Sequence, residues 1–166
     1  LKAFSALKKQ TALPHKFVVV GRLSAVNSQY LDAFIKSMGL TRNHVIRTGY
    51  VSDYDLVRLY NRAALFVYPV THEGFGIIPL EAMACGAPVI AVTSTAAMIN
   101  EMIGGAGITI DPHNLEALIQ TMYSVLTDSV LRLKMVRRGL ERAAQSNWRT
   151  IARKTLNVYN ELSQES

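Results

Sequence analysis

The stretch from Phe66 to Pro88, FVYPVTHEGFGIIPLEAMACGAP, constrains this chain more than any other. It opens as a short β-rich apolar run, breaks at Pro69, turns through Glu73-Gly74-Phe75-Gly76 and continues as a helix. A strand that hands over to a glycine-rich turn and a helix start leaves unpaired N–H groups and the positive end of the helix dipole facing one point, which suits an anion. Glu73 on the turn and Glu81 inside the helix add two carboxylates beside it. Together they predict a ligand that is anionic in its middle and rich in hydroxyls at both ends, as a nucleotide-sugar is.

The rest of the chain alternates around that stretch. Leu1 to Lys9 carries Leu1, Phe4 and Leu7 at helical spacing, and Phe17 to Val20 reads as a short buried strand ending at Gly21. A second helix is expected over Ser28 to Met38, capped near Ser28 and stopped by Gly39, then a weaker strand over His44 to Thr48. Ser52, with Asp55 three residues on, predicts a capped helix start before Tyr54 to Ala63. Leu65 to Tyr68 is the next strand and Ile77 to Cys85 the next helix, with Pro79 tolerated in its first turn and Gly86 stopping it. Val89 to Val92 is apolar throughout, as a strand covered on both faces should be. Met98 to Ile103, the strand Ile108 to Ile110, and helices over Leu115 to Leu126, Ser129 to Ala144 and Arg149 to Leu162 complete the pattern. Strands alternating with helices specify an α/β fold, a doubly wound parallel sheet with helices on both faces. No internal repeat or linker is visible, so residues 1–166 are expected to form a single domain.

Composition excludes several classes. Apolar residues make up 49% and charged residues 18%, which is incompatible with a disordered chain. No apolar run approaches the roughly 20 residues that span a bilayer. The single cysteine, Cys85, cannot form an internal disulfide, which fits a reducing, cytoplasmic setting. The net charge of +6 comes largely from Arg132, Lys134, Arg137, Arg138, Arg142, Arg149, Arg153 and Lys154 on helical sequence. A solvated helix face is the plain reading of these, and peripheral contact with a membrane surface the second. Nucleic acid is not expected as a partner, because no aromatic residues interleave with the basic ones. His15, His44 and His113 are scattered and form no metal set with Cys85, Asp53 and Asp55 read as a helix start, and no metal site is expected.

The pattern E-G-F-G-x-x-x-x-E followed by A-M-A-x-G-x-P-V-I resembles the signature of retaining glycosyltransferases of the GT-B fold, in family 4 (glycosyl transferases group 1). Val45 to Tyr60, Glu101 to Pro112 and the Asn147-Trp148 helix start resemble the same family, so the likeness extends over nearly the whole chain. It implies a Rossmann-like domain, the C-terminal donor-binding half of a GT-B enzyme. It also implies a UDP-, GDP- or ADP-sugar as donor, no metal, and transfer with retained configuration to an acceptor hydroxyl. Glu73 would bind donor-sugar hydroxyls at the catalytic centre, and Glu81 the ribose hydroxyls. Gly74 and Gly76 would let the backbone approach the ligand, and N–H groups of Phe75, Ile77 and Ile78 would face the phosphates. Gly21 and the backbone around Gly49 to Val51 would line the nucleobase and ribose end. Ordinary turn glycines, a turn carboxylate for Glu73 and a solvated helix carboxylate for Glu81 are the plain alternatives. Leu80, Ala82, Met83 and Ala84 around Glu81 are apolar, so a buried carboxylate in need of partners is expected there.

In the resembled family this domain begins with a strand and a basic R-x4-K pair that precede the helix matched by Leu1 to Lys9. Neither is found here, and Val18 to Leu23 (VVVGRL) has no Lys at the right distance after Arg22. The expectation is therefore a sheet of order 3-2-1-4-5-6 with its first strand missing, in a fragment of a two-domain enzyme. An N-terminal domain would supply the site for a sugar or lipid-linked acceptor, with the enzyme cytoplasmic or peripheral at the inner membrane face. The alternative is a binding or scaffold module that keeps the fold and has lost catalysis.

Overall fold

A computed structural model describes residues 1–70, 77–93 and 96–164. Among them the elements run α1 (Lys2–Gln10), β1 (Phe17–Val20), α2 (Ala25–Ser37), β2 (Val45–Gly49), α3 (Asp53–Arg62) and β3 (Phe66–Pro69). They continue with α4 (Ile77–Ala84), β4 (Val89–Val92), α5 (Ala96–Ile103), β5 (Ile108–Ile110), α6 (Leu115–Thr127), α7 (Ser129–Gln145) and α8 (Trp148–Gln164). The expected α/β architecture is present, with every strand pairing parallel. The strands form two sheets: β1 pairs with β2, and β3, β4 and β5 lie in that order. An order of 3-2-1-4-5-6 without its first strand breaks at the same place, between the pieces 3-2 and 4-5-6.

Alternation along β4 divides the core in two. Successive side chains of a strand point to opposite faces. Ile90 and Val92 accordingly join Ala3, Phe4 and Leu7 of α1, Val45 of β2, and Met122 and Val125 of α6. Val89 and Ala91 join Met83 of α4, Ile99 and Ile103 of α5, and Tyr60 and Tyr68. The first cluster contains residues of both sheets and of α1, which precedes every strand in sequence; Phe4 meets Phe17 of β1 at a ring-centroid distance of 5.4 Å. The second is built on close approach. A Cβ on Gly107 would lie 2.8 Å from the Val89 carbonyl oxygen, and one on Gly139 of α7 3.2 Å from the Met83 side chain.

Element ends agree with the sequence reading to within two residues except at α2. That helix starts at Ala25, three residues before the expected start, and its cap is Ser24, whose hydroxyl accepts the Asn27 N–H at 3.2 Å. Ser28 cannot be the cap because its N–H is already bonded to the Ser24 carbonyl at 2.9 Å. Its hydroxyl instead accepts from the Arg47 guanidinium at 2.9 Å.

Two of the basic residues on α7 are more than a solvated face. The Arg142 Nε and Nη2 donate to the carbonyls of Met102 (2.8 Å) and Glu101 (2.7 Å) in the last turn of α5. Arg132 likewise donates to the Val125 and Leu126 carbonyls of α6. Each places a cation on carbonyls that a helix end leaves unpaired, where the dipole is negative. Lys134, Arg137 and Arg138 are exposed, as expected.

Candidate functional site

The proposed ligand residues follow the carboxyl ends of three strands. In open parallel sheets this is the edge at which ligands bind, because loops there diverge and leave a crevice. Gly21 follows β1 at φ +122° and Gly49 ends β2 at φ +69°, left-handed values that favour glycine. The Gly21 N–H donates to the Gly49 carbonyl at 2.9 Å, so the two strand ends are tied and Arg22 and Tyr50 emerge side by side. The Arg22 guanidinium lies over the Tyr50 ring, 4.9 Å from its centroid. Val51, half-buried, follows, and then the expected cap: Ser52 accepts the Asp55 N–H at 3.2 Å and donates to the Asp55 carboxylate at 2.9 Å. Asp55 also pairs with Arg58 at 3.6 Å, as a helix-start carboxylate does.

Glu73, Gly74, Phe75 and Gly76, and His72 beside them, lie outside the described residues. The helix they lead into is present from Ile77, and Ile77 and Ile78 are exposed at its start. Pro79, Ala82 and Met83 are buried against the core. Glu81 is exposed, which corrects the expectation of a buried carboxylate. The reason is helical geometry: only positions 79, 82 and 83 of α4 face inward, while Leu80 is half-buried and Ala84 exposed on the outer side. The outer face, Ile77, Leu80, Glu81 and Ala84, is one wall of a cavity of about 250 Å³; Trp148 and Ile151 of α8 are on the other side. A cavity of about 380 Å³ against Gly104, Arg138 and Arg142 shares no residue with it.

Tyr60 of α3 and Cys85 stand close enough to Glu81 to feel its charge. Burial pushes the Tyr60 hydroxyl up to about 12, with Glu81 and Cys85 adding to the effect. Burial, and then Glu81, also raise the Cys85 thiol. Tyr60 therefore stays a neutral hydroxyl and Cys85 a protonated thiol with little nucleophilic character. Cys85 is half-buried instead of fully enclosed. Glu81 is thus a solvent-facing acceptor flanked by neutral groups, able to take two hydroxyl donors at once.

A family profile described as "Glycosyl transferases group 1" matches residues 1–142. The chain belongs to that family. This group 1 glycosyltransferase chain is 31% identical over its full length to the serotype-specific mannosyltransferase WbdA of Escherichia coli, of which it covers 20%. It is similar, at 26% identity and a TM-score of 0.68, to the C-terminal domain of the group 1 family protein LpcC from Francisella tularensis, matching 87% of this chain and 75% of that one. The Anabaena protein Alr3699/HepE, solved with UDP and glucose, shares the fold at a TM-score of 0.76 and 22% identity, over 98% of this chain and 44% of that one. The chain thus spans about a fifth of the length of the mannosyltransferase. The fold of this group 1 chain is the Rossmann-like α/β fold of GT-B glycosyltransferases.

Around the site of this group 1 domain, the sequence reading had left out Tyr60 and had used Tyr50 only through its backbone. A tyrosine inside a helical pattern looks like core. Only the pairing of α3 with α4 reveals that Tyr60 sits beside Glu81. Tyr50 followed Gly49 in plain view, but its partner Arg22 lies on another loop, and no spacing rule connects them. Glu101 is exposed; its backbone carbonyl, through Arg142, is the part of it the fold uses.

Proposed function

We propose that this chain is the donor-binding, C-terminal domain of a two-domain retaining glycosyltransferase, and that it holds a nucleoside diphosphate sugar across the carboxyl ends of β1, β2 and β3. The observation that carries the reading is Glu81. It is a solvent-facing carboxylate on the helix that follows Glu73–Gly76 in sequence, with neutral Tyr60 and Cys85 around it, in a chain of the group 1 family. Glu81 would accept the ribose hydroxyls and Glu73 those of the donor sugar. The N-terminal turn of α4, at Ile77 and Ile78, would meet the diphosphate. Departure of a nucleoside diphosphate develops negative charge on that phosphate, and positioned N–H dipoles stabilise it without reorganising. Gly21 and Val51 would line the base. The reaction as proposed places no metal ion.

Likeness to a C-terminal domain and the split between β1 and β3 support a further strand and a second domain, which would carry the acceptor site. Likeness to a mannosyltransferase supports mannose as the transferred sugar, and a solved neighbour that holds UDP and glucose supports a nucleotide-sugar donor. Among the described residues no helix is long and apolar enough to cross a membrane. We place the enzyme in the cytoplasm, peripheral to the membrane face where a lipid-linked acceptor would be presented.

The test is a thermal-shift panel of UDP, GDP and ADP with their sugars on the wild type and on Glu81→Ala. A ligand that binds the folded state alone raises the melting temperature by mass action, about 2.7 kcal/mol at a hundredfold excess over Kd. One nucleotide should stabilise the wild type, and Glu81→Ala should lose that response. A wild type unmoved by all three in the millimolar range, with a longer chain equally unmoved, would remove the donor-domain reading.

A further inference from the structure

The paired loops after β1 and β2 carry a feature that the diphosphate and ribose contacts leave unused. Arg22 and Tyr50 belong to different strands, and each is the first residue after a left-handed glycine. The Gly21 N–H···O=C Gly49 bond fixes their spacing at the sheet edge to which the proposed function assigns the ligand. Arg22 has no carboxylate partner among the described residues. Tyr50 is 69% exposed, so its large ring is not held there by the core. The other arginine–tyrosine contact makes the contrast: Arg58 and Tyr54 sit one turn apart on the same helix, and Arg58 is paired with Asp55. That pair is accounted for by helix geometry. The Arg22–Tyr50 pair is not.

An exposed aromatic ring at a nucleotide site is a platform on which a base stacks. A guanidinium next to that base reads its edge. Guanine presents O6 and N7, two adjacent acceptors that match the arginine fork; adenine opposes it with an amino donor beside N7. Uracil offers a single carbonyl on the corresponding edge. We propose that Tyr50 stacks the nucleobase, that Arg22 moves from the ring face to the base edge, and that the pair selects guanine, making the donor a GDP-sugar. This rests on the donor-domain reading above and adds the base to it.

Titration calorimetry on the full chain decides it, with GDP, UDP, ADP and inorganic pyrophosphate as probes. The wild type should bind GDP more tightly than UDP or ADP. Arg22→Gln should weaken GDP about tenfold or more and leave UDP nearly unchanged. Arg22→Lys should keep pyrophosphate binding but lose the preference for GDP, because an ammonium has charge without the fork. Tyr50→Ala should weaken all three nucleotides about tenfold while pyrophosphate binds as before. Both side chains are exposed, and unliganded melting curves of the variants check that the fold is kept. A wild type that binds UDP or ADP as well as GDP, or an Arg22→Gln protein with an unchanged GDP preference, overturns the inference. If nucleotide binding is still lost in Glu81→Ala, only the inference falls. If neither the wild type nor a longer chain binds any nucleotide, the donor-domain reading falls with it.

Discussion

Strands β1 and β4 are written in nearly the same alphabet, FVVV and VIAV, and the fold treats them differently. Every residue of β4 is buried, and the strand is paired on both sides, to β3 and β5. Among the described residues β1 pairs with β2 alone, and its burial alternates, with Val18 and Val20 each 39% exposed. An apolar run alone therefore does not settle whether a strand is central. The number of layers packed on it does. Helices α4, α5 and α7 close one face of β4, and α1 and α6 the other, whereas β1 has α1 against Phe17 and Val19 and, among the described residues, nothing of comparable bulk over Val18 and Val20. The half with the packed core is the half that supports Glu81, while the less covered half presents Arg22, Tyr50 and Val51.

This contrast should be measurable as a difference in sensitivity to truncation. Met83, 1% exposed between β4 and α7, is the largest of the fully enclosed side chains among the described residues. Met83→Ala should cost about 2–5 kcal/mol, the range for emptying a core site, seen as a lower urea midpoint at unchanged slope. Val18→Ala should stay within about 0.5 kcal/mol, as partly exposed positions do. Equal losses at the two sites would mean that β1 is covered in solution, and the comparison would collapse. Glycines sharpen the same point. Gly107→Ala drives a Cβ to 2.8 Å from the Val89 carbonyl, inside the packed half, and should cost about 1–3 kcal/mol by overpacking. Gly105→Ala meets no atom within 4 Å but holds φ +71°, so its cost should come from backbone strain alone, about 1 kcal/mol.

What the sequence revealed follows from what is local. β1, β4 and β5 fall where the apolar runs put them, but the buried strand expected over Phe17 to Val20 is half-covered, because burial depends on the layers packed on a strand and not on its own composition. The Ser52–Asp55 start of α3 was legible because a cap is a contact over three residues. The start of α2 was misread because Ser24 and Ser28 are both good caps, and only the bonding of the Ser28 N–H chooses between them. The exposure of Glu81 was misread because its neighbours in sequence are apolar, yet three-dimensional neighbours in a helix lie three and four residues away. Tyr60 beside Glu81, Arg22 over Tyr50 and Arg142 on α5 all join segments far apart in the chain, and no window of sequence contains them. The family resemblance carried the Glu73–Gly76 assignments, which lie outside the described residues.

Arg142 offers a smaller test within the packed half. Replacing it by Met keeps the aliphatic stem and removes the cation from the Glu101 and Met102 carbonyls. The loss should be about 1–2 kcal/mol, from a charge-assisted bond at a helix end. Lys134→Met on the exposed side of the same helix should leave the urea midpoint unmoved. If the two substitutions cost the same, the basic residues of α7 act only as a solvated face.

The smallest expected effect is a pH dependence seated between α1 and α7. His15 Nδ1 is buried without a hydrogen-bond partner, and burial, Arg132 and Lys8 in that order lower the imidazole pKa. Neither cation is free to move away: Lys8 donates to the Leu13 carbonyl at 2.6 Å and Arg132 to the Val125 carbonyl at 3.1 Å. The folded chain thus takes up a proton less readily than the unfolded chain, whose imidazole titrates at about 6.5. The unfolded state binds more protons in that window, so stability rises with pH there. The contribution is complete above the ordinary imidazole pKa, falls as the pH drops through it, and levels off below the lowered folded value. Melting temperatures recorded between about pH 7.5 and pH 5 should therefore fall slightly more steeply for the wild type than for His15→Gln, whose side chain does not titrate in that range. Carboxylates contribute equally to both proteins, and the difference between the two curves isolates His15. Parallel curves would mean that the cations of α1 and α7 leave the histidine as free to ionise in the folded chain as in the unfolded one, and the junction between the two helices would then be more open to water than the buried Nδ1 indicates.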